Sequence, residues 1–136
     1  GLTLADIKGV VSLDTASVNL LSVQGGEGVE SQLVGPMITQ AFGKDKKTLE
    51  EASPTLCLSK GKSYPPFLLY CGSKRKTAGQ THEEFVRQCK GVGGTACLRL
   101  VPFNHKEINV NSGTTGHAMF NECQTFIKTG KLPQSQ

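Results

Sequence analysis

"LRLVPFNHKEIN", Leu98 to Asn109, reads as a short apolar strand that stops at a proline and opens into a loop carrying one histidine. An imidazole at the mouth of a strand is either a surface loop residue or a general base. A base needs a nucleophile and an acid elsewhere in the chain. What precedes and follows this stretch therefore decides both the fold and the chemistry.

Immediately before it, "THEEFVRQCKGVGG" predicts a helix. Thr81 and Glu84 have the spacing of a capping box, Phe85, Cys89 and Val92 share one face, and glycines 91, 93 and 94 stop the run. Further back, "YPPFLLYCGS" predicts a second strand, with Pro65 and Pro66 at its start and Gly72 at its end. "IKGVVSLD", Ile7 to Asp14, is a compact β-branched run that predicts a buried strand ending in an acid. Between these two strands, "TASVNLLSVQGGEGVESQ" has little periodicity and predicts a long connection. Asp45 then predicts the N-cap of a short helix running through Leu49, with Pro54 beyond its end. After the third strand, "ACLRLVPF", a final helix is predicted from about Thr115. Met119, Cys123, Phe126 and Ile127 form its buried stripe, Lys128 lies in its last turn, and Gly130 and Pro133 stop it.

Alternating strands and helices predict an α/β domain of three parallel strands flanked by helices. Ligands in such sheets collect at the carboxyl ends of the strands. Here those ends are Asp14, the loop from Gly72 to Lys76, and His105.

The 136 residues fit one domain, and 37% hydrophobic with 19% charged residues is ordinary globular composition. The net charge of +4 is mild. Its cations are dispersed apart from Lys74-Arg75-Lys76, which predicts solvated surface rather than a nucleic-acid footprint. No apolar run approaches the ~20 residues that span a bilayer, and no signal peptide is visible. Five cysteines, at 57, 71, 89, 97 and 123, include no CxxC pair, which argues against a disulfide framework and a zinc knuckle. Most of them lie in apolar settings, which predicts buried free thiols in a reducing, cytoplasmic compartment.

Four stretches, "GLTLADIKGVVSLD", "AFGKDKKTLEEASP", "KSYPPFLLYCGS" and "LRLVPFNHKEIN", in that order resemble the carboxyl-terminal half of an α/β-hydrolase. The nearest flavour is the esterase, lipase and kynurenine-formamidase-like group, which hydrolyses carboxylic esters and amides. The likeness runs over nearly the whole chain. It implies a partial α/β-hydrolase domain over residues 1–136, with the nucleophile-bearing part expected before Gly1. It also implies a small-molecule ester or amide substrate and no cofactor.

In that family the triad runs Ser, then Asp or Glu, then His, with Ser on a sharp turn in G-x-S-x-G. "PFNHKEIN" matches the histidine's loop after the last strand, so the resemblance makes His105 the general base. The family's acid usually follows the penultimate strand, where this chain has Lys74 and Arg75. A cation there is expected to oppose the positive charge that develops on the ring. Asp14, at the end of the preceding strand, is the alternative acid; its other reading is a cap on the following turn. His82 and His117 are expected to be solvated. Glu83, Glu84 and Glu107 read as ordinary helix-start or loop charges.

No G-x-S-x-G occurs in the 136 residues. Ser12 is mid-strand, and Ser73 sits on the wrong loop. Cys71 has cations nearby that favour a thiolate, yet it follows "FLLY" directly, as a buried thiol does. "GGEGVE", Gly25 to Glu30, lacks the Lys-Ser/Thr of a phosphate loop. The expected function is the carboxyl-terminal segment of a Ser-Asp-His type acyl hydrolase, inactive alone because the serine and the oxyanion donors are missing. The rival is a non-catalytic interaction protein that offers the edge of "IKGVVSLD" to a partner or a second copy.

Overall fold

The computed structural model describes residues 1, 6–24 and 29–134. Most of the Gly25–Glu30 run therefore lies outside the described residues. Strand β1 (Val10–Leu13) is followed by helices α1 (Leu20–Gln24), α2 (Val29–Phe42) and α3 (Lys46–Glu51). Then come β2 (Phe67–Gly72), α4 (Lys76–Gly91), β3 (Ala96–Val101), α5 (His105–Gly113) and α6 (Ala118–Thr129). The strands form one parallel sheet in the order β1-β2-β3. Val11, Leu68 and Cys97 share one rung, and Leu13, Tyr70 and Arg99 another.

Because strand side chains alternate between faces, β2 serves two cores. Leu68 and Tyr70 pack with Cys97 against Ile108, Met119, Cys123 and Phe126 of α5 and α6. Leu69 packs on the opposite face with Phe85 and Cys89 of α4, and with Val18. Each fully buried Leu or Phe in these layers contributes roughly 2 kcal/mol of transfer free energy. A third cluster, Leu20, Val23, Ile38 and Leu49, joins α1, α2 and α3 into a small helical unit. Ser53 ties that unit together, donating to the Leu49 carbonyl at 2.6 Å and accepting from Leu20 N–H at 2.9 Å.

The three predicted strands and the short helix after Asp45 are present, and Asp45 accepts from Thr48 N–H at 2.8 Å. Several expectations are corrected. β1 is half-buried rather than buried, and it lies at a sheet edge with Ile7 outside it and exposed. The long connection after it holds α1 and α2. Apolar side chains lie on both sides of α2, Ile38 buried and Leu33 and Met37 exposed, so its sequence shows no single stripe. Helix α4 starts at Lys76, ahead of Thr81, whose hydroxyl donates to the Ala78 carbonyl within the helix. Ala78 and Gly79 are buried within this first part of the helix, whose N-terminus carries no side-chain cap. Helix α6 begins at Ala118 rather than Thr115, and Ile127 is 69% exposed, outside its buried stripe. Its end is as expected: Gly130 has φ 65°, the left-handed state glycine adopts freely, and donates to the Phe126 carbonyl at 2.7 Å.

Candidate functional site

The carboxyl tips of all three strands converge on Asp14. Asp14 follows β1 directly, and its N–H donates to the Tyr70 carbonyl at 2.8 Å, continuing the ladder one residue past the strand. Its backbone then turns into the left-handed region, at φ 54°. A residue with a Cβ avoids that region unless its surroundings over-determine it. Here the side chain is fully buried and accepts from three directions. Gly72 N–H donates to Oδ1 at 2.9 Å, and Arg75 Nη1 donates to Oδ2 at 2.8 Å and to the Asp14 carbonyl at 3.0 Å. The third donor is His105, whose Nδ1 lies 3.1 Å from Oδ2.

The two residues singled out from the sequence are thus brought together. Asp14 takes its bonds from another strand and another loop. The expected clash between a cation and the ring is also corrected. Arg75 lies against the Asp14 carboxylate and shares Oδ2 with His105, so its charge is matched by the acid.

His105 reaches this position because it is the first residue of α5, a helix where a loop was expected. Asn104 caps the helix: its side chain accepts from Glu107 N–H at 2.9 Å, while Glu107 accepts from Asn104 N–H at 2.8 Å. That reciprocal pair fixes where the first helical side chain points. Gly72 makes room for the turn, since a Cβ there would lie 2.7 Å from the Phe103 carbonyl oxygen. The ring is 69% exposed, which leaves Nε2 for an external partner, and the Asn109 amide sits 3.5 Å from it. Sequence reasoning missed Asn104 and Asn109. The Asn104 and Glu107 spacing was the signal available for the first.

The other histidines do not join the site. His82, expected to be solvated, is fully buried. Because α4 starts early, residue 82 falls on the inner face with Ala78, Phe85 and Cys89, and its Nδ1 lies 2.7 Å from the Ala78 carbonyl oxygen. His117 is half-buried rather than solvated: it caps α6, accepting from Met119 N–H at 3.2 Å, and meets Phe103 edge to face. Cys71 is fully buried, and Ser12 shares a 2.7 Å hydrogen bond with Thr15. Cys89, Cys97 and Cys123 are buried too, and burial pushes each thiol above its ordinary value. Cys57 is exposed. Among the described residues, no three His, Cys, Asp or Glu side chains cluster to hold a metal ion. No helix among them is long and apolar enough to cross a membrane.

A second carboxylate cluster lies on the α6 face. Tyr70 donates its hydroxyl to Glu122, and Arg99 Nη2 bonds the same carboxylate at 2.8 Å. Burial first, and the bond to Glu122 second, push the Tyr70 phenol far above its ordinary range. Arg99 also donates to the Gln134 carbonyl at 2.9 Å, pinning the tail that follows α6. A cavity of about 310 Å³ borders this cluster, with Phe103, His117 and Met119 in its wall. No family model, curated protein or solved structure matches the chain.

Proposed function

We propose that the chain supplies the acid and the base of an acyl hydrolase of the α/β-hydrolase type, acting on a small carboxylic ester or related acyl compound. The observation that carries this reading is the Asp14–His105 contact at the tips of a parallel sheet. An acceptor at Nδ1 keeps the proton on that nitrogen and leaves the Nε2 lone pair outward. Nε2 then takes the hydroxyl proton of a serine as the serine oxygen bonds the acyl carbon. It returns that proton to the leaving oxygen as the old acyl–oxygen bond breaks. Water repeats the cycle on the acyl-serine and releases the acid. Asp14 supplies mainly orientation, because Arg75 already balances its charge.

The serine in this reading belongs to chain beyond these residues. Two tests follow. Coding sequence upstream of Gly1 should contain G-x-S-x-G, and the protein translated from it should hydrolyse p-nitrophenyl butyrate. His105→Ala should lower its kcat/KM by about a thousandfold or more. The 136 residues alone should hydrolyse p-nitrophenyl acetate no faster than their His105→Ala variant. Upstream sequence without the serine motif, or equal rates in the longer protein and its variant, contradicts the reading.

A second reading, an interaction protein, is favoured by the half-buried β1 lying at the sheet edge. It predicts self-association of the chain in sedimentation. A strictly monomeric profile excludes pairing between copies.

A further inference from the structure

We propose that Arg75 is a positioning residue for His105, holding Asp14 in the one backbone state from which its carboxylate reaches the ring. The inference rests on the acid–base reading above. Asp14 is the one described non-glycine residue with a positive φ, at 54°, and a side chain there needs bonds that make any other conformation worse. Gly72 N–H holds Oδ1 alone, and the Tyr70 carbonyl holds only the Asp14 N–H. Arg75 Nη1 grips Asp14 at two points, the main-chain carbonyl at 3.0 Å and Oδ2 at 2.8 Å. It therefore ties the twist of the backbone to the direction of the carboxylate. The oxygen it fixes is the one that faces Nδ1 of His105 at 3.1 Å.

The grip is itself anchored. Arg75 directly precedes α4, and its N–H donates to the Gly72 carbonyl at 2.9 Å. The guanidinium, a rigid planar fork, thus reaches Asp14 from a fixed base on the neighbouring strand tip. A lysine at the same place brings equal charge on a looser point, without that planar geometry. Position and charge are separable on this ground.

The experiment reads the tautomer of His105 by long-range nitrogen–proton correlation on the nitrogen-labelled chain at about pH 8, above the ordinary histidine range. Nearly all wild-type molecules should carry the proton on Nδ1, and Lys74→Met should leave that unchanged. Arg75→Met should shift most molecules to the Nε2–H tautomer that free imidazole favours, and Arg75→Lys should give a mixture, with dispersed amide spectra throughout. If Arg75→Met keeps the Nδ1–H tautomer, the arginine is an ordinary ion-pair partner and the proposal falls while the acid–base reading stands. If Arg75→Met does not fold, Arg75→Lys decides: a mixture supports the proposal and full retention of Nδ1–H overturns it. A wild-type ring already in the Nε2–H form overturns both.

Discussion

The chain builds two clusters from nearly the same parts. At the strand tips, Asp14 accepts from Arg75 and from the ring of His105. On the α6 face, Glu122 accepts from Arg99 and from the hydroxyl of Tyr70. They differ in strain and in access. Glu122 sits in the middle of a regular helix, with one donor, Tyr70, buried and the other, Arg99, half-buried at 14% exposure. Asp14 sits on left-handed backbone, and its ring donor is mostly open to solvent. The phenol keeps its proton throughout the neutral range, whereas the imidazole carries a second ring nitrogen besides the one that faces the carboxylate. A carboxylate with an arginine thus closes a packed helix face in one place and holds an exposed ring in the other. What separates them is the third group and whether anything can reach it.

Unequal responses to removal of the acid offer the strongest way to break this contrast. Glu122→Ala leaves the Tyr70 hydroxyl without that acceptor and Arg99 with the Gln134 carbonyl, and should cost about 2 kcal/mol in urea unfolding. Its effect on the His105 tautomer should be nil. Asp14→Gly removes as many bonds, but Arg75 can turn to water and glycine adopts the left-handed backbone freely. That variant should cost less than Asp14→Ala by about 1 kcal/mol. A reversal of either order means that the strain at Asp14 is not as described.

Alkaline pH sharpens the contrast. Tyr70, with an ordinary value of 10.0, and the three buried thiols, with 9.0, are all raised in the folded chain. The unfolded chain releases these protons first, so their stabilisation is complete below those ordinary values and is lost as pH rises beyond them. Urea midpoints should hold up to about pH 8.5 and fall through pH 10–11. Tyr70→Phe should make the fall shallower, and an equal slope would show that the phenol is not coupled to folding. The smallest expected effect is at the cap beside the site: Asn104→Ala should cost about 1 kcal/mol or less. It should also loosen the Asp14–His105 contact, visible as a partial tautomer shift without loss of fold.

Legibility followed the physics of each segment. β2 was plain because prolines open it, an unbroken apolar run fills it and a glycine ends it. The juxtaposition of Asp14 with His105 followed from parallel strands, whose carboxyl ends share one edge. Helix α2 was hidden because Leu33 and Met37 face outward opposite Ile38, leaving no one-sided stripe. The start of α4 carries no side-chain cap, so no spacing marked it, and Thr81, the apparent cap, lies inside the helix. Arg75 was legible as a cation, but its partner depended on a left-handed twist at Asp14 that no spacing encodes. The helix at His105 was written in Asn104 and Glu107 yet lay behind a proline that drew attention to the strand end.

The most direct test is the rate at which diethyl pyrocarbonate modifies His105, followed residue by residue with mass spectrometry. If Asp14 holds the proton on Nδ1, Nε2 is the reactive nitrogen. His105 should then react faster than His117 and far faster than buried His82, and Asp14→Asn should slow it severalfold. A His105 rate no higher than that of His117, or one unmoved by Asp14→Asn, would show that the carboxylate does nothing to the ring.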